Sequence, residues 1–205
     1  MANDIKNLIF DFGGVLVDLN KEQTVCNFAQ LGIDVRQHIR DYVQGGPFAL
    51  LEEGTITENE FLNELRSLGN ADRLAGDEEL IKAWNSMLVR IPERRLQALK
   101  QLRKRYRLFL LSNTNSIHWK FSEKYLFAGN GVRVDDLFDG IFLSYDLKMM
   151  KPDPNIFREV LQKTQSEATQ TLFIDDSAVN CAAAKTLGIQ TFCPKEADDW
   201  LPLFL

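Results

Sequence analysis

Asp11 follows the apolar run Leu8-Ile9-Phe10, and the pair Asp175-Asp176 follows Leu172-Phe173-Ile174. Between them stand Ser112-Asn113-Thr114-Asn115, directly after an apolar run at residues 108–111, and Lys151-Pro152-Asp153-Pro154, directly before a helical pattern at residues 155–162. Carboxylates in such places can act as nucleophiles or as oxygen ligands for a hard cation. A lysine can hold a carboxylate or an anion, and hydroxyls and backbone amides after a strand can donate to anionic oxygens. Taken singly, each has an ordinary explanation. An Asp after a strand is commonly a turn former, Ser-Asn-Thr is common in loops, Lys151 reads as a solvated lysine, and Asp153 with Pro154 reads as a helix cap and first turn. The joint order is the stronger signal, because ligands of open parallel sheets bind beyond the carboxyl ends of the strands.

That placement requires a sheet. Apolar runs at residues 8–10, 108–111, 141–143, 172–174 and 190–193 alternate with helical patterns, which predicts parallel strands with helices on both faces. Their nearly continuous apolar character fits strands buried on both sides. The expected fold is α/β, a doubly wound parallel sheet (a Rossmann-like core) with an inserted α-helical cap. The insertion is read from spacing: the first two strands lie much further apart than a crossover, at least about 10–12 residues, requires. The predicted division is a core of residues 1–17 and 89–205 and a helical cap of residues 18–88. Within the cap, helices are expected at residues 22–31, 35–43, 58–68 and 78–88, divided by Gly45-Gly46-Pro47 and Gly54. Thr57 and Glu60 have the spacing of a capping box at the start of the third.

Composition narrows the function classes. With 205 residues, 45% hydrophobic and 26% charged, the chain can build one full-sized core carrying an insertion, and disorder is excluded for most of it. A net charge of -5 with mixed signs leaves no nucleic-acid footprint. The nearest approach to one, Arg94, Arg95, Lys100, Arg103, Lys104, Arg105 and Arg107, is interleaved with Leu96, Leu99 and Leu102 and reads as the solvated face of a helix. No apolar run has the length of a signal peptide or of a bilayer span. Cys26, Cys181 and Cys193 are odd in number and widely spaced, which argues against a disulfide framework and a cysteine metal site. The expected compartment is the cytoplasm, with neither nucleic acid nor membrane as partner. The apolar tail that begins at Trp200 is expected to dock on the core, a dimer contact being the alternative, so the expected state is a monomer or a weak homodimer.

Together the four clusters resemble the haloacid dehalogenase superfamily of hydrolases, whose four motifs are matched at residues 8–18, residues 110–115, Lys151-Pro152 and residues 173–180. The resemblance spans essentially the whole chain and includes the helical insertion after the first strand. It implies a magnesium-dependent phosphatase that hydrolyses a small-molecule phosphomonoester, such as a sugar phosphate, with Asp11 as the nucleophile forming an aspartyl phosphate. It implies Mg2+ held by Asp11, the main-chain carbonyl of Gly13 and Asp176, with Asp175 a ligand or bound through water. Lys151 would touch the nucleophile and the phosphoryl oxygens, the Ser112 hydroxyl and the Asn113 backbone amide would donate to phosphate, and Asn180 would order the acidic loop.

One departure matters. Most phosphatases of that family carry a second Asp two residues after the nucleophile, as general acid on the leaving group and then base on water; here that position is Gly13. Because the metal contact there is a main-chain carbonyl, the glycine removes the proton carrier and not the ligand. General acid–base catalysis is worth about 10²- to 10⁴-fold. Three readings stand: a phosphatase using water or a cap residue for proton transfer, a phospho-ligand or protein-binding module with weak or no turnover, and a metal-free 2-haloacid dehalogenase. The Asp175-Asp176 pair argues against the last. Without an acid, esters with a stable leaving group, such as an anomeric sugar phosphate, are expected to suffer least, and simple alkyl phosphates most. Cap residues that could line a substrate are Phe28, Arg36, Arg40, Tyr42, Gln44 and Phe48, with packing or solvent exposure the ordinary explanation for each. His38 and His118 lie in no metal-ligand spacing, and Trp84 and Trp119 read as packing residues.

Overall fold

Each apolar run becomes a strand. The computed structural model describes residues 5–39, 45–69 and 75–204. In chain order the principal elements are β1 (Asn7–Phe10), β2 (Asp18–Leu19), α1 (Lys21–Gln30), α2 (Pro47–Glu52), α3 (Glu58–Ser67), α4 (Asp77–Asn85), β3 (Leu88–Arg90), α5 (Glu93–Leu102) and β4 (Arg107–Ser112). They continue with α6 (Ser116–Phe121), β5 (Gly140–Leu143), α7 (Ser144–Leu147), α8 (Pro154–Thr164), β6 (Thr171–Ile174), α9 (Ala178–Lys185) and β7 (Gln190–Phe192).

Five strands form one parallel sheet in the order β5-β4-β1-β6-β7. β1 is central and wholly buried. Its residues alternate between the two faces: Leu8 and Phe10 join Leu96, Leu99 and Leu102 of α5, whereas Ile9 joins Ile156, Phe157 and Val160 of α8. Helices on both faces explain why these strands read as unbroken apolar runs. The chain winds from β1 toward β4 and β5, then from β6 toward β7, so the winding reverses between β1 and β6, where ligands of such sheets bind.

Between β1 and β4, helices α1 to α4 enclose an apolar cluster of their own, centred on Phe48. Its ring lies 6.0 Å from Phe28, 5.2 Å from Phe61 and 4.7 Å from Trp84. The antiparallel pair β2–β3 brings the two ends of this segment side by side. That pairing corrects the helix expected at residues 78–88: α4 stops at Asn85 because Leu88 is needed opposite Leu19. The capping box forms, with Thr57 Oγ1 accepting from the Glu60 amide at 3.2 Å and Glu60 Oε2 from the Thr57 amide at 2.7 Å. A helix over residues 35–43 does not appear in its described part. Residues 36–38 make a single turn, and Asp34 accepts the Arg36 amide at 3.1 Å, a local bond that competes with helix formation. Arg40, Tyr42 and Gln44 lie outside the described residues. Conversely, Pro47, expected to divide helices, opens α2, where its missing N–H costs nothing.

Arg95 corrects the reading of a fully solvated basic face. Only 2% of it is exposed, because its i+4 and i+7 neighbours Leu99 and Leu102 place it on the buried side of α5. Its guanidinium donates to the Leu16 carbonyl at 3.0 Å and pairs with Asp18 and Asp198, each at 2.8 Å. The tail docks nearby: Trp200 is fully buried, edge-on to Phe10 at 5.0 Å, and its indole N–H donates to the Val15 carbonyl at 3.3 Å. No helix among the described residues is long and apolar enough to cross a membrane.

Trp200→Ala should therefore lower stability by about 3–5 kcal/mol, the range for truncating a large buried aromatic. Urea unfolding reads this directly, and a loss under about 1 kcal/mol would mean that the tail is not part of the core.

Candidate active site

β1 delivers Asp11 to the carboxyl end of the sheet, where its amide donates to the Ile174 carbonyl at 2.8 Å and keeps it level with the end of β6. Beside it lies Lys151, whose side chain is 1% exposed, with Nζ 2.8 Å from Asp11 Oδ1 and 2.7 Å from Asp175 Oδ2. The ammonium also donates to the Leu111 carbonyl at 3.0 Å, so each of its N–H groups has an acceptor. The lysine is held from behind by a side chain whose part in the site the sequence did not reveal. Asn113 Nδ2 donates to the Lys151 carbonyl at 2.8 Å, and Asn113 Oδ1 accepts the Lys151 amide at 2.9 Å. This clasp ties the loop after β4 to the loop before α8.

Asp175 is fully buried and saturated with donors. Beyond Lys151, its Oδ1 accepts the Ser177 amide at 2.8 Å, and Asn180 Nδ2 lies 3.1 Å from both oxygens. Asp176 is less committed, and its carboxylate lies against the backbone of Gly14. A Cβ on Gly14 would collide with Asp176 Oδ2, and Gly14 has φ 76, so only glycine fits there. Gly13 differs. Its backbone lies outside the left-handed region, and a Cβ would point at Leu19 Cδ1, 3.1 Å away. Leu19 thus fills the direction in which an acidic side chain at position 13 would extend.

Asp11, Asp175 and Asp176 present carboxylate oxygens that lie within 4.8 Å of one another. One lysine does not balance three carboxylates. Burial pushes Asp11 up to about 7 despite the opposing pull of Lys151, and Asp175 and Asp176 add to the rise. Asp176 is also raised, by burial first and Asp175 second. Burial alone would favour a neutral Lys151; Asp11 and Asp175 outweigh it and keep the ammonium charged. A set of hard oxygen donors short of positive charge suits a divalent cation such as magnesium.

A cavity of about 810 Å³ opens on this cluster, lined by Asp11, Gly13, Ser112, Lys151 and Asp176 and, from the helical layer, by Glu52. Ser112 is buried, and among the described residues its hydroxyl has only a 3.4 Å contact with the Asn113 carbonyl. Asn180 also lines the cavity. Of the cap residues considered from sequence, Phe28 and Phe48 are buried in the helical cluster, and Arg36 is exposed and paired with Asp34 at 2.7 Å. None of the three lines the cavity. Glu52 was missed. Its signal was helical spacing: it stands four residues after Phe48, on the buried face of α2, where an unpaired acid is costly. Burial first, and Asp11 second, push its carboxyl up to about 8. His118 also reaches the cavity, stacked on Trp84 at 4.2 Å with Nε2 on the Trp84 carbonyl at 3.2 Å. Burial takes its pKa down to about 4, so it is neutral at neutral pH.

Residues 5–188 match the model of the haloacid dehalogenase-like hydrolases. A D-ribitol-5-phosphate phosphatase of Bacteroides thetaiotaomicron is 36% identical over 197 residues, 96% of this chain and 95% of that protein. The crystal structure of a family enzyme from the same species, an aspartate-to-alanine variant in complex with magnesium and inorganic phosphate, aligns with a TM-score of 0.94 at 40% identity, over 98% of this chain and 99% of that one. A hydrolase structure of the same type from Porphyromonas gingivalis aligns at 0.87 with 33% identity, over 98% of this chain and 96% of that one.

The acidic cluster makes stability depend on pH. Without a divalent cation, Asp11 titrates near 3.8 when unfolded and near 7 when folded. Between those values the native state binds the extra proton, so stability falls as pH rises through the window. Glu52 adds the same sign up to about 8. Asp11→Asn removes its share, and in metal-free urea unfolding near pH 8 the variant should exceed the parent by roughly 2–4 kcal/mol, at 1.36 kcal/mol per pKa unit. Below about pH 3.5 the two should be equal. Equal stability near pH 8 would show that Lys151 fully compensates Asp11.

Proposed function

This chain belongs to the haloacid dehalogenase-like hydrolase family, and we propose that it is a magnesium-dependent phosphatase hydrolysing a small-molecule phosphomonoester, a sugar or polyol phosphate, through an aspartyl-phosphate intermediate. The observation that carries this reading is Asp11 paired with a buried Lys151 inside a carboxylate cluster at the β1–β6 switch point. Support for the substrate class comes from the relative that acts on D-ribitol 5-phosphate, and for the ion from the structure holding magnesium with phosphate.

Asp11 attacks phosphorus, and water then hydrolyses the aspartyl phosphate and restores the carboxylate. Lys151 favours the ionised form of Asp11 against burial and offers its charge to the phosphoryl oxygens, while the Ser112 hydroxyl and the Asn113 backbone amide donate to the same group. Magnesium would be held by Asp11, the Gly13 carbonyl and Asp176. Asp175, whose oxygens already accept from Lys151, Ser177 and Asn180, would reach it through water. When bound, the ion supplies the positive charge that offsets repulsion between a carboxylate nucleophile and a phosphoryl dianion. Residues 18–88 act as the cap, placing α2 over the site and limiting access by water.

The test is phosphate release from a panel of sugar phosphates, polyol phosphates, nucleotides and acyl phosphates. Release should require magnesium, stop on chelation, and fall by on the order of 10⁴-fold or more in Asp11→Asn, as when a nucleophile is removed. No release by the parent from any panel member would overturn the phosphatase reading in favour of a phospho-ligand binding module. Halide release from a 2-haloacid without metal would restore the dehalogenase.

A further inference from the structure

We propose that Glu52, entering the cavity from the helical layer, is the proton carrier that position 13 lacks, protonating the leaving oxygen and then deprotonating the attacking water. This rests on the phosphatase reading above and extends it to an acid–base residue. Glu52 is 8% exposed, lines the same cavity as Asp11, and among the described residues its carboxyl has no hydrogen-bond or ion-pair partner. A buried acid left without a partner is costly, and the cavity is where it can find one.

The other carboxylic acids of the cavity, and its histidine, are paired, clustered or turned to solvent. Asp18 is paired with Arg90 at 3.1 Å and Arg95 at 2.8 Å. Asp11 and Asp176 belong to the carboxylate cluster, and Glu22 is exposed to solvent. His118 is neutral, with Nε2 committed to the Trp84 carbonyl. Position 13 itself offers no space without movement of Leu19.

The backbone of Glu52 is fixed relative to the phosphate-binding loop by one hydroxyl. Ser144 Oγ donates to the Glu52 carbonyl at 2.6 Å and accepts the Thr114 amide at 3.0 Å, next to Ser112 and Asn113. Two residues on, Gly54 (φ 65) packs so closely on Tyr145 that a Cβ would collide with the Tyr145 carbonyl, and Lys148 donates to the Gly54 carbonyl. These contacts hold the end of α2 against the core. Protonation at neutral pH suits the role, since burial and then Asp11 raise the carboxyl against the opposing effect of Lys21, with Glu53 adding to the rise.

In the first step an Asp11 oxygen bonds to phosphorus as the ester P–O bond breaks, and the departing oxygen takes the Glu52 proton to leave as an alcohol. In the second, Glu52 carboxylate takes a proton from water as its oxygen bonds to phosphorus and the bond to Asp11 breaks. Inorganic phosphate departs with both carboxyls restored. A primary alkyl ester, the bond in a polyol phosphate, then becomes workable, which replaces the expectation that such esters are the poorest.

The experiment compares Glu52→Gln, a neutral isostere of the protonated acid, with the parent magnesium enzyme on a polyol phosphate and on p-nitrophenyl phosphate, whose leaving oxygen needs no proton. With the alkyl ester kcat should fall about 10²- to 10⁴-fold with no burst of alcohol. With the aryl ester the variant should release close to one equivalent of nitrophenolate at nearly the parent rate, then turn over slowly because water lacks its base. Glu52→Asp should recover part of the alkyl activity. Alkyl turnover within about three-fold of the parent, or equal losses on both esters without an aryl burst, would overturn the assignment. Failure of the parent on both esters would instead remove the phosphatase reading beneath it.

Discussion

The Lys151 ammonium donates to the Leu111 carbonyl, to Asp11 and to Asp175, and so joins the carboxyl ends of β4, β1 and β6 through one buried charge. A buried cation is tolerated only when its partners are close and its N–H groups are used, and here both conditions are met by residues from three different strand ends. The pair it completes is therefore also a test of the sheet: if β1, β4 and β6 were out of register, the ammonium could not satisfy all three acceptors. What it does not do is neutralise the site. Two partner carboxylates and Asp176 remain in excess over one lysine; burial first, and the neighbouring carboxylates after it, raise Asp11, and the cluster is receptive to a divalent cation.

The helical layer is joined to the sheet at a few defined points. Ile117 of α6 enters the helical apolar cluster, and His118 stacks on Trp84, so α6 is shared by both cores. Around it the contacts are polar: Ser116 and Lys120 donate to Glu58, and Ser144 holds the carbonyl of Glu52. The first two fix α3 and the third fixes α2, which sets the roof of the cavity relative to its floor. Arg95 performs a similar task at the other end, gathering Leu16, Asp18 and Asp198 where the chain leaves the sheet for the helices.

What could be read from the sequence was whatever depended on short-range pattern. The strands of the sheet, covered on both faces, announce themselves as apolar runs, and the polar residues after them mark the carboxyl edge. Asp11, Lys151, Asp175 and Asp176 were found because each follows a strand or precedes a helix, and the structure brings them together. Long-range requirements were not legible. Arg95 looks like one more surface cation until Asp18 and Asp198 are placed beside it. The helix pattern at residues 78–88 gives way where Leu19 needs a partner, and a local Asp34–Arg36 bond competes with the helix pattern in its described part, residues 35–39. Glu52 was hidden because an acid after Leu50-Leu51 resembles a helix end; only the cavity distinguishes it from its exposed-looking neighbour Glu53.

The position of β1 bears on how the molecule is made. Its strand partners, Arg107–Ser112 and Thr171–Ile174, lie far along the chain, one on each side of it. During synthesis from the amino end, the helical segment has its neighbours close in sequence and can settle early, while Leu8, Ile9 and Phe10 must wait for both flanking strands. Such distant pairings slow folding and leave apolar surface open to chaperones in the interval. A nascent chain that stops before β6 has Asp11 and Lys151 but neither Asp175 nor Asp176, so a truncated product keeps one carboxylate of the three that cluster in the folded chain.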